Sequence, residues 1–282
     1  MGTRQTARLM LLALVFTVGC SSLPSAERTT ALETRADATY QAGLRQYRSG
    51  RYTQAAACFE QALAMHASVD DRAGTASALA SLGRARLALG ELDGAAASFQ
   101  RSLAAAEGLR LPELDAEALG GLGAVALERR QADDARTWLE AALALPLADP
   151  GPERAVLLHD LGLARHQLGD HAAAVAHLRQ ALAMHEALNN HLGVAADCHS
   201  LAGLLAEDGD LEAAVALAHR ALSRDKAREN PPGVAADLML LGSLKLRQGD
   251  ADAAAGYYRR AELAWSALGR ADLAAEAAAS AP

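Results

Sequence analysis

Histidine is the residue type whose placement here suggests chemistry. The chain has nine, and eight of them fall between His159 and His219. His159 and His199 are one 40-residue interval apart, and His166 lies two helical turns beyond His159. If these positions share a wall, three imidazoles converge on one bay. Imidazole is the commonest side-chain metal ligand and gains a proton near pH 6.5. The bay therefore suggests a ligand or metal sensor as an alternative function. No His-x3-His pair with a nearby carboxylate accompanies it, so metal ligands are not assigned and no cofactor is implied.

The other reactive side chains are sparse. Three cysteines occur, at 20, 58 and 198. Cys58 and Cys198 are too far apart along an extended stack of elements to reach the ~5.5 Å Cα spacing of a disulfide. They are expected to be small buried apolar residues. The sequence contains no Gly-x-Ser-x-Gly, no phosphate-binding Gly-x4-Gly-Lys-Ser/Thr and no His-Glu-x-x-His. An enzyme is not expected.

The elements that position these residues follow from composition. Of 282 residues, 51% are apolar, but only 4% are aromatic. Alanine alone accounts for 70 positions. Alanine is depleted on pleated sheets and is the best helix former, so the expectation is an all-α protein whose helices approach closely. The formal charge is −7. That balance argues against a nucleic-acid partner, which would require a basic stripe.

A single pattern fills most of the chain: small-x6-Gly-x4-Ala-x6-Ala-Leu. It begins at Gly43, Gly83, Gly123, Gly162, Ala202 and Gly242, with intervals of 40, 40, 39, 40 and 40. The segment before each second glycine has helical spacing, as in Leu79, Leu82, Ala85 and Leu89. The glycine itself (Gly50, Gly90, Gly169, Gly209, Gly249; Arg130 in the third copy) is a helix stop able to adopt positive φ. The first small residue and the later alanines are expected where paired helices touch. Phe59, Phe99, Leu139, Leu178 and Tyr258, four residues past the first motif alanine, fill the space beside them, and Ala218 takes that place in the fifth copy. Pro112, Pro146, Pro150, Pro152, Pro231 and Pro232 all fall outside the helix interiors, where each would cost roughly 3 kcal/mol.

These residues resemble the tetratricopeptide repeat, a helix-turn-helix unit, over residues 36–268. The resemblance implies a right-handed superhelical solenoid of about six helix pairs. Its period of 40 exceeds the family's ~34, implying longer second helices or longer turns between repeats. Residues 269–282 are expected to form a capping helix and tail. In this family the first helices line a concave groove that holds a protein or peptide. Carried over by spacing, the groove comprises Tyr40, Leu44, Tyr47 and Arg48 from the first copy, Arg84 and Leu87 from the second, and Leu127 from the third. His159, Leu163, His166, His199, Met239 and Leu246 continue it. The resemblance implies a scaffold whose groove is apolar and lightly charged, fitting an amphipathic helix or an apolar extended segment. Oligomeric state is left open.

The N-terminus reads as an address. Arg4 and Arg8 precede a ten-residue, largely apolar run from Leu9 to Val18. This is shorter than the ~20 residues that span a membrane and suits a secretory signal. Thr17-Val18-Gly19-Cys20 then resembles the lipobox of bacterial lipoproteins, with Thr17 where leucine is usual. The resemblance implies a signal peptide over 1–19, lipidation at Cys20, and a flexible tether over 20–35. Ser21 after the cysteine implies sorting to the outer membrane, on its periplasmic face. Partners would then be envelope proteins, with the membrane held through the lipid.

Overall fold

The computed structural model describes residues 25–149 and 151–282, and side chains from residue 30 onward. The signal segment and the lipobox with Cys20 lie outside the described residues. Thirteen helices and no strand occur among the described residues. They run α1 (Ser25–Arg48), α2 (Tyr52–Ser68), α3 (Arg72–Ala88), α4 (Leu92–Ala106), α5 (Pro112–Glu128), α6 (Ala132–Leu143) and α7 (Pro152–Gln167). Then follow α8 (His171–Ala187), α9 (His191–Glu207), α10 (Leu211–Ala227), α11 (Pro231–Arg247), α12 (Ala251–Ala267) and α13 (Ala271–Ser280). No described helix is long and apolar enough to cross a membrane.

Each helix packs on the next. In addition α1 touches α3, α3 touches α5, and so on to α11, while no comparable contact joins the even-numbered helices. The odd-numbered helices are therefore crowded together and the even ones fan apart. This makes a solenoid whose inner wall consists of the first helix of each pair.

The close approach of paired helices has a definite cause. A Cβ at Gly43 would lie 2.6 Å from Phe59, and at Gly83 2.8 Å from Phe99. Gly123 and Gly162 stand in the same relation to Leu139 and Leu178, each at 2.7 Å, and Gly242 to Tyr258 at 2.8 Å. In five pairs, then, a large side chain on the second helix occupies the place of a missing one on the first. The fifth pair puts Ala202 beside Ala218, and both are fully buried. The motif alanines are buried in every copy. Ser102, which replaces one of them, donates its hydroxyl to the Ala76 carbonyl at 2.8 Å and so satisfies a polar atom in the core.

The glycine stops adopt φ between 71° and 90°, and Arg130 takes φ 57° in the glycine-less copy. Eight of the helices have 17 residues, and most neighbours are joined by three-residue turns. The 40-residue period thus lengthens the second helices, as expected, and the first helices equally with them, while most turns stay short. The main departures are α4, with 15 residues and a five-residue link to α5, and α6, cut to 12 residues with a longer link to α7. Pro112, Pro152 and Pro231 open helices in the first turn, where the missing N–H has no helical partner to lose.

One boundary is corrected. Residues 25–35, expected as flexible tether, are the first turns of the 24-residue α1. After Pro24 no proline or glycine interrupts the chain until Gly43, and Ala26, Ala31, Leu32 and Glu33 are good helix formers, so backbone propensity extends the helix beyond its packed part. Burial begins later, at Ala36. At the other end α13 packs on α12. It buries Ala274 beside Trp265 and Ala277 beside Ala261.

Candidate functional site

The inner wall has two stretches of different character. The first, built by α1, α3, α5 and α7, encloses a hollow of about 620 Å³. On α5 the lining residues are Glu117, Gly121, Ala124 and Glu128, one stripe at helical spacing. On α7 they are Glu153, Val156 and Asp160. Tyr47, Arg84 and Leu87 close the hollow from α1 and α3, and Phe99 reaches its floor from α4. The floor depends on two glycines. A Cβ at Gly120 would lie 2.8 Å from Leu157, and one at Gly121 would fall inside the Phe99 ring's envelope.

Charge in this hollow is organised around one cation. The Arg84 guanidinium pairs with Glu117 at 3.1 Å, donates to the Ser81 hydroxyl at 2.9 Å and lies 5.8 Å from the Tyr47 ring centroid. Ser81 in turn meets the Tyr40 hydroxyl at 3.0 Å. Burial pushes the Glu117 carboxyl above its ordinary range, Arg84 opposing and Glu153 adding to the shift. Burial likewise pushes Asp160 up to about 6, with His159 pulling it down and Asp197 pushing it up. Burial also raises the Tyr47 phenol. The lining holds four acids and one arginine, so the expected lightly charged surface is corrected to an acidic one. Motif spacing marks one facet per helix, whereas the wall also exposes the neighbouring facet, where Glu117, Glu153 and Asp160 sit.

The second stretch, from α7 to α11, is bridged by hydrogen bonds. Asp197 is fully buried and takes bonds from His159 Nδ1 at 2.6 Å and His185 Nδ1 at 2.7 Å. Asp237, almost fully buried, is bonded by His199 Nδ1 at 2.7 Å. Burial lowers the His159 ring's affinity for a proton, but the bond to Asp197 and the charges of Asp160 and Asp197 outweigh it, and the net shift is upward. The two aspartates were not singled out in the sequence. A signal existed: each follows its histidine by 38 residues. Leu163, His166 and His199 line a smaller hollow of about 170 Å³, and Met239 lines another with His199.

The positions carried over by spacing thus separate. Tyr47, Arg84 and Leu87 share the large hollow, and Leu163, His166 and His199 the small one. Tyr40 and Leu44 pack into the core under α1. Arg48 is exposed, and Leu246 is 42% exposed. Leu127 is corrected: it is buried in the cluster of Leu139, Leu157 and Leu161, because its facet of α5 turns toward α6 and α7 instead of the groove. The three-histidine bay is corrected too. His159 and His199 are each held by a separate aspartate, while His166 faces Glu207 at 3.6 Å. The imidazole within reach of His166 is His171, with ring centroids 5.1 Å apart. Of the two described thiols, Cys58 is half-buried, not core; Cys198 is buried, and burial raises its pKa to about 11. Both are free.

A chain of helix pairs with small-to-large packing and a wall of first helices defines a repeat scaffold for protein interaction. The tetratricopeptide repeat profiles match residues 34–108, 114–187 and 199–267, and the chain belongs to that family. No curated protein matches it. Among solved structures it is similar to BtubC (BKLC) from P. vanneervenii, with 19% identity over 88% of this chain and 93% of that one, and a TM-score of 0.61. It is also similar to pilF of Pseudomonas aeruginosa, with 22% identity, 87% and 99% coverage and a TM-score of 0.56. PilW, a type IV pilus biogenesis factor, gives 20% identity, 81% and 92% coverage and a TM-score of 0.57. At these identities the likeness is one of fold.

Proposed function

We propose that this chain is a lipid-anchored scaffold at the periplasmic face of the outer membrane, holding a partner protein's segment in the α1–α7 hollow. The observation that carries the groove is the hollow itself: Val156, 49% exposed, Leu87 and Ala124 form an apolar floor ringed by Glu117, Glu128, Glu153 and Asp160. Such a site favours an amphipathic or extended apolar segment bearing a basic residue. The anchor rests on Arg4, Arg8, the apolar run and Gly19-Cys20. Assembly of a secretion, pilus or cell-wall complex is the kind of process such a scaffold would serve, and the likeness to pilF and PilW supports the pilus among these.

Two experiments test the two parts. In cells fed labelled palmitate, the parent should take up label and sediment with membranes, and Cys20→Ala should do neither. An unlabelled, soluble parent would refute the address. A photo-crosslinking residue at Leu87 or Val156 should capture an envelope protein, and Glu117→Lys with Glu153→Lys should abolish the adduct. Adducts that survive both charge reversals would move the binding face off this hollow.

A further inference from the structure

A second cluster of polar side chains lies away from the large hollow. His166 stands in the last turn of α7, His171 is the first residue of α8, and Glu207 ends α9. The turn of the fourth repeat thus faces the helix end of the fifth. One ligand atom from each of the three residues lies within 4.8 Å of the others. His171 Nε2 is 2.8 Å from Glu207 Oε2, and His166 Nε2 is 3.6 Å from Glu207 Oε1. We propose that His166, His171 and Glu207 form a binding site for a divalent transition-metal ion of the zinc class.

Geometry comes first. With metal–nitrogen and metal–oxygen bonds of about 2.0 Å, the donor atoms of a tetrahedral site stand about 3.3 Å apart. Two of the three separations, 2.8 and 3.6 Å, lie either side of that value but run to different Glu207 oxygens, so the carboxylate must turn to offer one oxygen to both rings. The third needs only side-chain rotation, since all three residues are partly or wholly exposed. Two imidazoles and a carboxylate form a donor set suited to zinc, and they leave a fourth position for water or a ligand.

The surroundings favour a cation as well. The α7 and α9 carboxyl ends point partial negative charge at this place, against the single opposing amino end of α8. His171 Nδ1 lies 3.6 Å from Asp208 Oδ1, so a carboxylate stands behind the ligating ring, where it can fix the ring's orientation and raise its basicity. On binding, His171 Nε2 gives its lone pair to the ion in place of its hydrogen bond to Glu207, and the neutral ring carries its proton on Nδ1, toward Asp208. His166 and Glu207 also line the small hollow, so an ion held between them is open to whatever lies in that part of the wall.

Titration of the full chain with zinc chloride at pH 7.5, followed by calorimetry, tests the site. A saturable phase of one ion per chain is expected, and cobalt(II) at the same position should show visible d–d absorption. His171→Gln and Glu207→Gln should each remove both signals, while His199→Gln and His219→Gln should keep them. Asp208→Asn should weaken binding about tenfold. Far-UV circular dichroism confirms that each variant is folded. Glu207→Gln, which keeps its size, decides the matter if His171→Gln loses helicity. Absence of the phase in the parent, its survival in Glu207→Gln, or its loss in His199→Gln but not His171→Gln would each overturn the proposal.

Discussion

The α1–α7 wall and the α7–α11 wall are made by the same repeat, on equivalent facets, and yet one is a single acidic hollow and the other is bridged by histidine–aspartate hydrogen bonds that leave separate hollows. The difference lies in side chains of a few positions. In the first stretch Gly120, Gly121 and Ala124 leave room, and of the four acids that line it Glu117 is paired with Arg84. In the second, His159 and His199 each reach one repeat forward to a buried aspartate and bridge first helix to first helix. A repeat scaffold therefore fixes where a groove runs. What the groove can hold depends on side-chain volume and on whether polar groups are satisfied across repeats or left to a ligand.

The largest test removes the bridging bonds. Asp197→Ala leaves the buried His185 and the half-buried His159 without their shared acceptor. Leaving a buried hydrogen-bonding group without its partner costs about 1–3 kcal/mol, and two rings lose theirs here, so the urea midpoint should fall sharply. Asp197→Asn, which keeps the shape, should cost less. Equal, small losses in both variants would mean that the network does not hold the second wall together.

The reciprocal test fills the open wall. Gly121→Ala drives a methyl into the Phe99 ring and should cost about 2 kcal/mol by overpacking. Phe99→Leu alone should also destabilise. The double variant should recover part of the loss, since the two positions share one space. Simple addition of the two losses in thermal melts would show that the glycine serves something other than ring clearance.

How much of this was legible beforehand follows a physical division. The helix pairs, their hairpin stops and the contacts of a glycine with a large side chain repeat every 40 residues, so each copy is independent testimony to the same constraint. Gly43, Gly83 and Gly123 announce their partners Phe59, Phe99 and Leu139 by spacing alone. The groove's chemistry does not repeat. Glu117 and Asp160 belong to single copies on a facet that the motif does not mark, and Leu127 shows that a facet assigned by analogy can turn into the core. His171 was hidden because it lies five residues past His166, across a turn, and its carboxylate partner Glu207 comes from the next repeat.

Both walls should lose stability as pH rises, through different groups. Asp160 titrates near 6 in the folded chain against 3.8 when unfolded, so the folded state binds more protons between these values and stability falls as pH rises through them. The His159 ring, raised above 6.5, adds stability that is complete below the unfolded value and is lost as pH rises through the folded one. His177, lowered by burial first, works in the opposite direction but is more exposed to solvent. The melting temperature should therefore be higher at pH 5.5 than at pH 8. Asp160→Asn should flatten the profile by about 1 kcal/mol across that range. A profile rising toward pH 8 in the parent would contradict this assignment.

The smallest effect isolates the backbone. Arg130 stands in the hairpin between α5 and α6 at φ 57°, in the place where the other five copies have glycine at 71° to 90°. A side chain in the left-handed region crowds the following carbonyl, and glycine relieves this at some entropic cost in the unfolded chain. Arg130→Gly should therefore stabilise by about 0.5–1 kcal/mol, read as a raised urea midpoint. It also gives the first wall the same hairpin stop as the second. If the hollow owes its volume to Gly120 and Gly121, the Arg130→Gly chain should crosslink from Leu87 as the parent does. A changed pattern would locate part of the difference between the two walls in the hairpin backbone, not in the residues that line them.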